Sequence, residues 1–187
     1  MLIDLSIEVK NFNKKNVLKN GDKIPFGHLG THFDVMNKEF PLEYLKRKGL
    51  IFDVSKIKER DIELEDIDSS RIEKDMFIGF YTGFIEREEY GTNKYFNEHP
   101  QLSDNLIEKL VNKKVSIIGV DFAGLRRGKE HTPKDQYCAD YGVFVVENLC
   151  NLKKILGEEK YKYFDVNVYP IKFSGLTGLP CRVVGEL

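Results

Sequence analysis

The segment His28-Leu29-Gly30-Thr31-His32-Phe33-Asp34-Val35 holds two of the four histidines of the chain and a carboxylate within seven residues. Imidazole and carboxylate are ligands of divalent transition metals, so this spacing points to a metal site. In an extended strand, side chains alternate, which puts His28, Gly30, His32 and Asp34 on one face and Leu29, Thr31, Phe33 and Val35 on the other. A straight strand would hold the two histidine Cα atoms ~13 Å apart, too far for imidazoles that must each lie ~2.0 Å from one ion. If both bind the same metal, the chain has to curl near Gly30, and glycine permits that curl. The competing reading is a pair of ordinary core or surface histidines. Three ligand-type residues of one parity around a glycine favour the metal.

The elements that would position this segment are mostly strands. Short runs rich in Val, Ile and Phe, bounded by Gly, Pro and Asp, predict strands in LIDLSIEV, GLIFDVS, DMFIGFYTGF, KVSIIGVDF, GVFVVENL, DVNVYPIKF and PCRVVGEL. Leu102, Leu106, Ile107, Leu110 and Val111 share one helical face behind Ser103, a good N-cap. A second helix start is predicted at Thr132, with Pro133 at its first position, Asp135 as the capping acid and Gly142 as the stop. Short helices are expected in PLEYLKRKG and NLCNLKKILG. The elements leave the class as α/β or α+β, with α/β taken as the reading: a single domain with a mixed sheet flanked by helices.

Composition narrows the partners. At 187 residues the chain reads as one domain, 1–187, large enough to bury roughly 70% of its unfolded surface and so to fold without a structural metal. A metal would then serve chemistry. The 29 basic and 30 acidic residues are interspersed, for a net charge of -1, which leaves no electrostatic footprint for nucleic acid or an anionic membrane. No apolar run approaches a bilayer span. Cys138, Cys150 and Cys181 lack C-x-x-C spacing, and the expected setting is reducing and cytoplasmic.

His28-x-Gly30-Thr31-His32-x-Asp34 resembles the signature of the cyclase-like metal-dependent hydrolases, the family that includes bacterial kynurenine formamidases. The likeness extends along the chain through Ile3-Asp4-Leu5-Ser6, Tyr81-Thr82-Gly83-Phe84, His99-Pro100-Gln101-Leu102-Ser103, Ile118-Gly119-Val120-Asp121, Val146-Glu147-Asn148-Leu149 and Pro180-Cys181-Arg182-Val183. The resemblance implies a partly barrel-like sheet of the swivelling β/β/α type and a site of one or two divalent ions, zinc first and manganese as the alternative. His28, His32, Asp34 and Glu147 would be ligands. It also implies a small-molecule substrate and a homodimer or larger homo-oligomer.

Two positions depart from the family pattern. Lys38 stands where the family places a catalytic histidine, and a lysine is a poor general base unless burial lowers its pKa by several units. Asp135 stands where the family has a histidine twelve residues before the glutamate, while His131 lies four residues earlier. Either Asp135 or His131 would complete the ligand set, and His131 or Lys38 would handle the leaving-group proton. The implied activity is attack of metal-activated water on an amide, formamide or lactone carbonyl. The alternatives are a metal-binding homologue that has lost hydrolysis, or a hydro-lyase or ring-closing enzyme. Arg126 and Arg127 could hold a substrate carboxylate, and the Tyr90–Phe96 stretch could wall a pocket or meet a neighbouring subunit. His99 reads as a turn residue shaping the loop over the site, Cys138 as a buried thiol, and the Lys56–Asp68 stretch as a solvated surface.

Overall fold

The computed structural model describes residues 1–9, 18–19, 22–23 and 26–187. Its elements, in order, are β1 (Leu2–Asp4), β2 (Leu18–Lys19), β3 (Asp22–Lys23), β4 (His32–Asp34), β5 (Lys46–Asp53), β6 (Phe77–Tyr81), α1 (Phe84–Arg87), α2 (Asn93–Asn97), α3 (Asp104–Asn112), β7 (Ile117–Val120), α4 (His131–Asp140), β8 (Phe144–Glu147), α5 (Leu152–Leu156), β9 (Tyr161–Pro170) and β10 (Gly178–Glu186). Strands β5, β6, β7 and β8 run parallel, and β4, β9 and β10 join them antiparallel. Because β10 pairs with β4 through its first residues and with β9 through the rest, the sheet closes into a mixed barrel of seven strands. Strand β1 lies on the outer part of β10, and β2 and β3 form a separate hairpin.

Both faces of the parallel strands are buried, which is why they read as continuous apolar runs. Phe33, Ile51, Phe77, Ile117, Phe144, Val146, Phe164 and Val183 come from all seven barrel strands and form one core. Leu50, Phe52, Ile78, Phe80, Ile118 and Val145, the residues of opposite parity, pack with Leu106, Ile107, Leu110 and Val111 of α3 into a second. Helix α3 follows the predicted face, and the Ser103 hydroxyl accepts from the Leu106 amide at its start. The buried carboxylate of Asp121, at the end of β7, accepts from the Thr82 amide and hydroxyl and the Gly83 amide, fixing the turn that follows β6.

Several expected boundaries move. PLEYLKRKG is a single 3-10 turn, Leu42–Leu45, after which Lys46 already begins β5; pairing with β9 along seven positions outweighs the local helix preference. Helix α4 starts at His131 rather than Thr132, led in by a 3-10 turn at Gly128–Glu130. Pro133 still falls in the first turn, where a missing amide hydrogen costs nothing. The predicted first strand shortens to β1, with Ser6 forming an isolated bridge to Leu149. Within the charged stretch 56–68, Ile62 is fully buried and bridges to Leu102, so that surface is anchored rather than wholly solvated. Among the described residues, no helix is long and apolar enough to cross a membrane.

Candidate metal centre

The segment of alternating ligands is not one strand. Phe26–His28 forms a 3-10 turn, the chain bends through Gly30, and only His32–Asp34 is extended. Gly30 takes φ +69°, a left-handed conformation that most residues avoid. That bend brings His28 Nδ1 to 3.2 Å from His32 Nε2 and 3.0 Å from Asp34 Oδ1, with His32 Nε2 3.6 Å from the same oxygen. The curl required by the spacing is therefore present.

Strand pairing supplies the next ligand. His32 and Glu147 are direct partners across the β4–β8 ladder, and Glu147 Oε2 lies 3.5 Å from His32 Nε2. Helix α4 supplies the last two. His131 and Asp135 are four residues apart, so they share a helix face, and His131 Nε2 sits 3.1 Å from Asp135 Oδ2 and 3.3 Å from Glu147 Oε1. Both residues enter the site, where the sequence left them as alternatives. Asp135 makes no helix-capping bond and is buried against the cluster. The loop after β7 seats the imidazole of His131: a Cβ added to Gly124 would lie 2.6 Å from both Cε1 and Nδ1 of the ring.

The six side chains form two groups, His28-His32-Asp34 and Asp34-His131-Asp135-Glu147, with Asp34 common to both and the ligand atoms of each within 4.8 Å of one another. Two ligands ~2.0–2.1 Å from one tetrahedral ion lie roughly 3.3–3.4 Å apart, so the observed spacings suit metal coordination. A second observation agrees. Asp34 Oδ2 and Asp135 Oδ1 are buried without a hydrogen bond, and Glu147 Oε1 has only the 3.3 Å contact with His131, an arrangement that is costly unless something else neutralises these oxygens. A cation meets that need.

The electrostatics show the same strain. Burial opposes charging His32, but the Asp34 carboxylate overcomes it and raises the imidazole to about 9. His131 rises to about 11 against its burial, through Glu147 and the bond to Asp135. Asp34 is held well below the usual carboxylate range because the charge on His32 and the bonds from His28 and His32 outweigh burial. Burial, and then the charge on Asp34, push Asp135 up to about 7. Three buried carboxylates thus share a small volume and hold protons on neighbouring histidines, which is the competition a divalent ion would relieve.

Surrounding groups orient the ligands. His28 Nε2 meets Thr177 Oγ1 at 2.9 Å, which leaves Nδ1 for the site, and His32 Nδ1 meets the Gly30 carbonyl at 2.9 Å, which leaves Nε2. Thr177 lies in an irregular stretch before β10 and had no sequence signal.

Other candidates lie elsewhere. Lys38 is not brought to the cluster; it forms a partly exposed ion pair with Asp140 at 2.7 Å. Arg126 is fully engaged by Asp61, Glu130 and the Leu102 carbonyl, and Arg127 bonds the Asn97 carbonyl, so neither faces the ligands. Cys138 is buried in the core beside α3, and burial raises its thiol far above the usual range. His99 is buried, stacked on Phe122 at 5.5 Å. It borders a separate cleft of about 290 Å³ with Arg60, Arg87 and Arg127.

Comparison with known proteins agrees with this architecture. Residues 3–125 match the model of the Cyclase family, described as "Putative cyclase". Isatin hydrolase A from Labrenzia aggregata, solved with benzyl benzoate bound, superposes with a TM-score of 0.77 at 18% identity, covering 99% of this chain and 93% of that one. Isatin hydrolase A from Ralstonia solanacearum gives 0.76 at 15% identity, with 99% and 91% covered. A potential metal-dependent hydrolase with cyclase activity gives 0.74 at 21% identity, with 99% and 96% covered. At these identities the likeness establishes a common fold. No curated protein matches the sequence.

Proposed function

The chain belongs to the cyclase family, and from that premise we propose that it is a metal-dependent hydrolase acting on the carbonyl of an amide, formamide or lactone in a small molecule. The observation that carries this reading is the double ligand group: His28, His32, Asp34, His131, Asp135 and Glu147 converge, Asp34 belongs to both groups, and Asp34 Oδ2 and Asp135 Oδ1 are buried without a hydrogen bond. One or two divalent ions held by these residues would lower the pKa of a bound water to about 7 and would polarise the substrate carbonyl. Three imidazoles favour zinc, while three carboxylates keep manganese in competition. Asp34 and Glu147 face both groups and hold them together. His131 points Nε2 at Asp135 and Glu147, so its role in this reading is ligation rather than proton transfer.

The test is elemental analysis of protein purified without a chelating tag, followed by assay against N-formyl aromatic amines, simple amides and lactones. Two equivalents of zinc or manganese with turnover of one class support the proposal. Protein that binds no divalent metal overturns it.

A second reading is favoured by Lys38. Its ammonium is engaged by Asp140, which supports a site that works without a group at the position of the family's catalytic histidine. A metal-loaded protein inactive on the whole panel would support a binding homologue, or a hydro-lyase or ring-closing enzyme. For the hydrolase reading we also propose a cytoplasmic protein that forms a homodimer or larger assembly. Cys138, Cys150 and Cys181 are free, and Phe26, Ile171, Phe173 and Leu176 expose apolar surface suited to a second subunit. Sedimentation of the purified protein tests the assembly.

A further inference from the structure

The aromatic stretch 90–96 does not simply wall a pocket: the Tyr90 hydroxyl meets the backbone of Gly30, and the Tyr95 hydroxyl meets the side chain of Asn148. Gly30 donates its amide hydrogen to the Tyr90 hydroxyl at 2.8 Å. On the other side of the same residue, the Gly30 carbonyl accepts from Asn148 Nδ2 at 2.8 Å and from His32 Nδ1 at 2.9 Å. Asn148 is buried beside Glu147 and takes φ +59°, an unusual backbone conformation that asparagine tolerates. Its amide is aimed by Tyr95, whose hydroxyl donates to Oδ1 at 2.8 Å, and its carbonyl accepts from the Thr31 hydroxyl at 2.8 Å.

The direction of these bonds has a consequence. A phenol that donates to Oδ1 forces the Asn148 amide to present Nδ2 to Gly30. A carbonyl oxygen only accepts, so the Gly30 carbonyl requires hydrogen on His32 Nδ1 and leaves Nε2 toward Asp34 and Glu147, while Asn148 Nδ2 holds that carbonyl in place. Tyr95 belongs to α2 and is fully buried, so a hydroxyl on a separate helix steadies, through Asn148, the carbonyl that orients a ligand on β4.

We propose that Tyr95 and Asn148 are positioning residues that fix the orientation of His32 through the Gly30 carbonyl. The inference rests on His32 being a metal ligand. Removing partners that orient a ligating histidine typically lowers metal affinity 10–100-fold.

The test compares wild type with Tyr95→Phe, which keeps the ring in the core and deletes the hydroxyl, and with Phe96→Leu, a packing change next to Tyr95 that leaves every bond of the relay intact. The first readout, taken on metal-free protein, is solvent exchange of the His32 Nδ1–H followed by nitrogen-15 NMR. The second is cobalt(II) affinity with its visible absorption. Tyr95→Phe should accelerate the exchange at least tenfold, weaken cobalt binding about tenfold and alter the spectrum, while Phe96→Leu changes none of these. Asn148→Gly, which suits the backbone angle, should reproduce the effects and serves if Tyr95→Phe does not fold. Unchanged imidazole exchange in both relay variants, or the same changes in Phe96→Leu, overturns the proposal. A wild-type protein that shows the protected Nδ1–H yet binds no cobalt overturns the metal reading instead.

Discussion

Gly124→Ala separates the two ligand groups by a single methyl. The added Cβ would stand 2.6 Å from Cε1 and Nδ1 of His131, where ordinary contact begins at 3.4 Å, so the ring must retreat by about the difference, 0.8 Å. Metal–ligand distances tolerate roughly ±0.2 Å. His131 would therefore leave the group it shares with Asp135 and Glu147, while His28, His32 and Asp34, on the other side of the cluster, keep their spacing. Gly124 also holds φ +111°, and forcing an alanine there costs on the order of 1–3 kcal/mol. The expected outcome is one equivalent of tightly bound zinc instead of two by elemental analysis, with a lower urea midpoint. Full two-metal occupancy at wild-type affinity would refute the assignment of His131 as a ligand seated on Gly124.

Three further outcomes follow from the same geometry. Because His32 and His131 retain protons to about 9 and 11 in the metal-free protein, each ion must displace one. Zinc affinity measured by chelator competition should then rise about tenfold per pH unit for each site between roughly pH 7.5 and 8.5, above the range in which Asp135 also holds a proton, and a flat profile would contradict this. Lys38→Ala removes a partly exposed ion pair with Asp140, so its effect on unfolding free energy should stay within about 1 kcal/mol with metal content unchanged; loss of metal would place Lys38 in the site after all. Ser103→Ala deletes the α3 cap and should cost about 1 kcal/mol in urea unfolding without changing metal stoichiometry.

Much of the metal centre could be read from the sequence because its signals are local. His28, Gly30, His32 and Asp34 lie so close together that convergence needs only a bend in the chain, and the glycine marks where it occurs. Ser103 before an apolar face predicted α3 for the same reason. The spacing of His131 and Asp135 was also visible, but the family pattern has a single histidine there, twelve residues before Glu147, which made the two residues look like rivals. On a helix that begins at His131 they are neighbours on one face.

The sequence by itself determined which residue types are available to a metal and that near neighbours among them could converge, since backbone alternation and helix pitch depend on the chain alone. Only the tertiary structure decided the rest. The β4–β8 register sets Glu147 opposite His32, more than a hundred residues away; packing of α4 against β8 brings His131 and Asp135 to Asp34; and closure of β10 onto β4 and β9 carries Thr177 to His28. The redirection of Lys38 to Asp140 and the reach of Tyr95 toward Asn148 belong to the same class. Each depends on which distant surfaces must bury one another, a collective requirement that no short window of residues expresses.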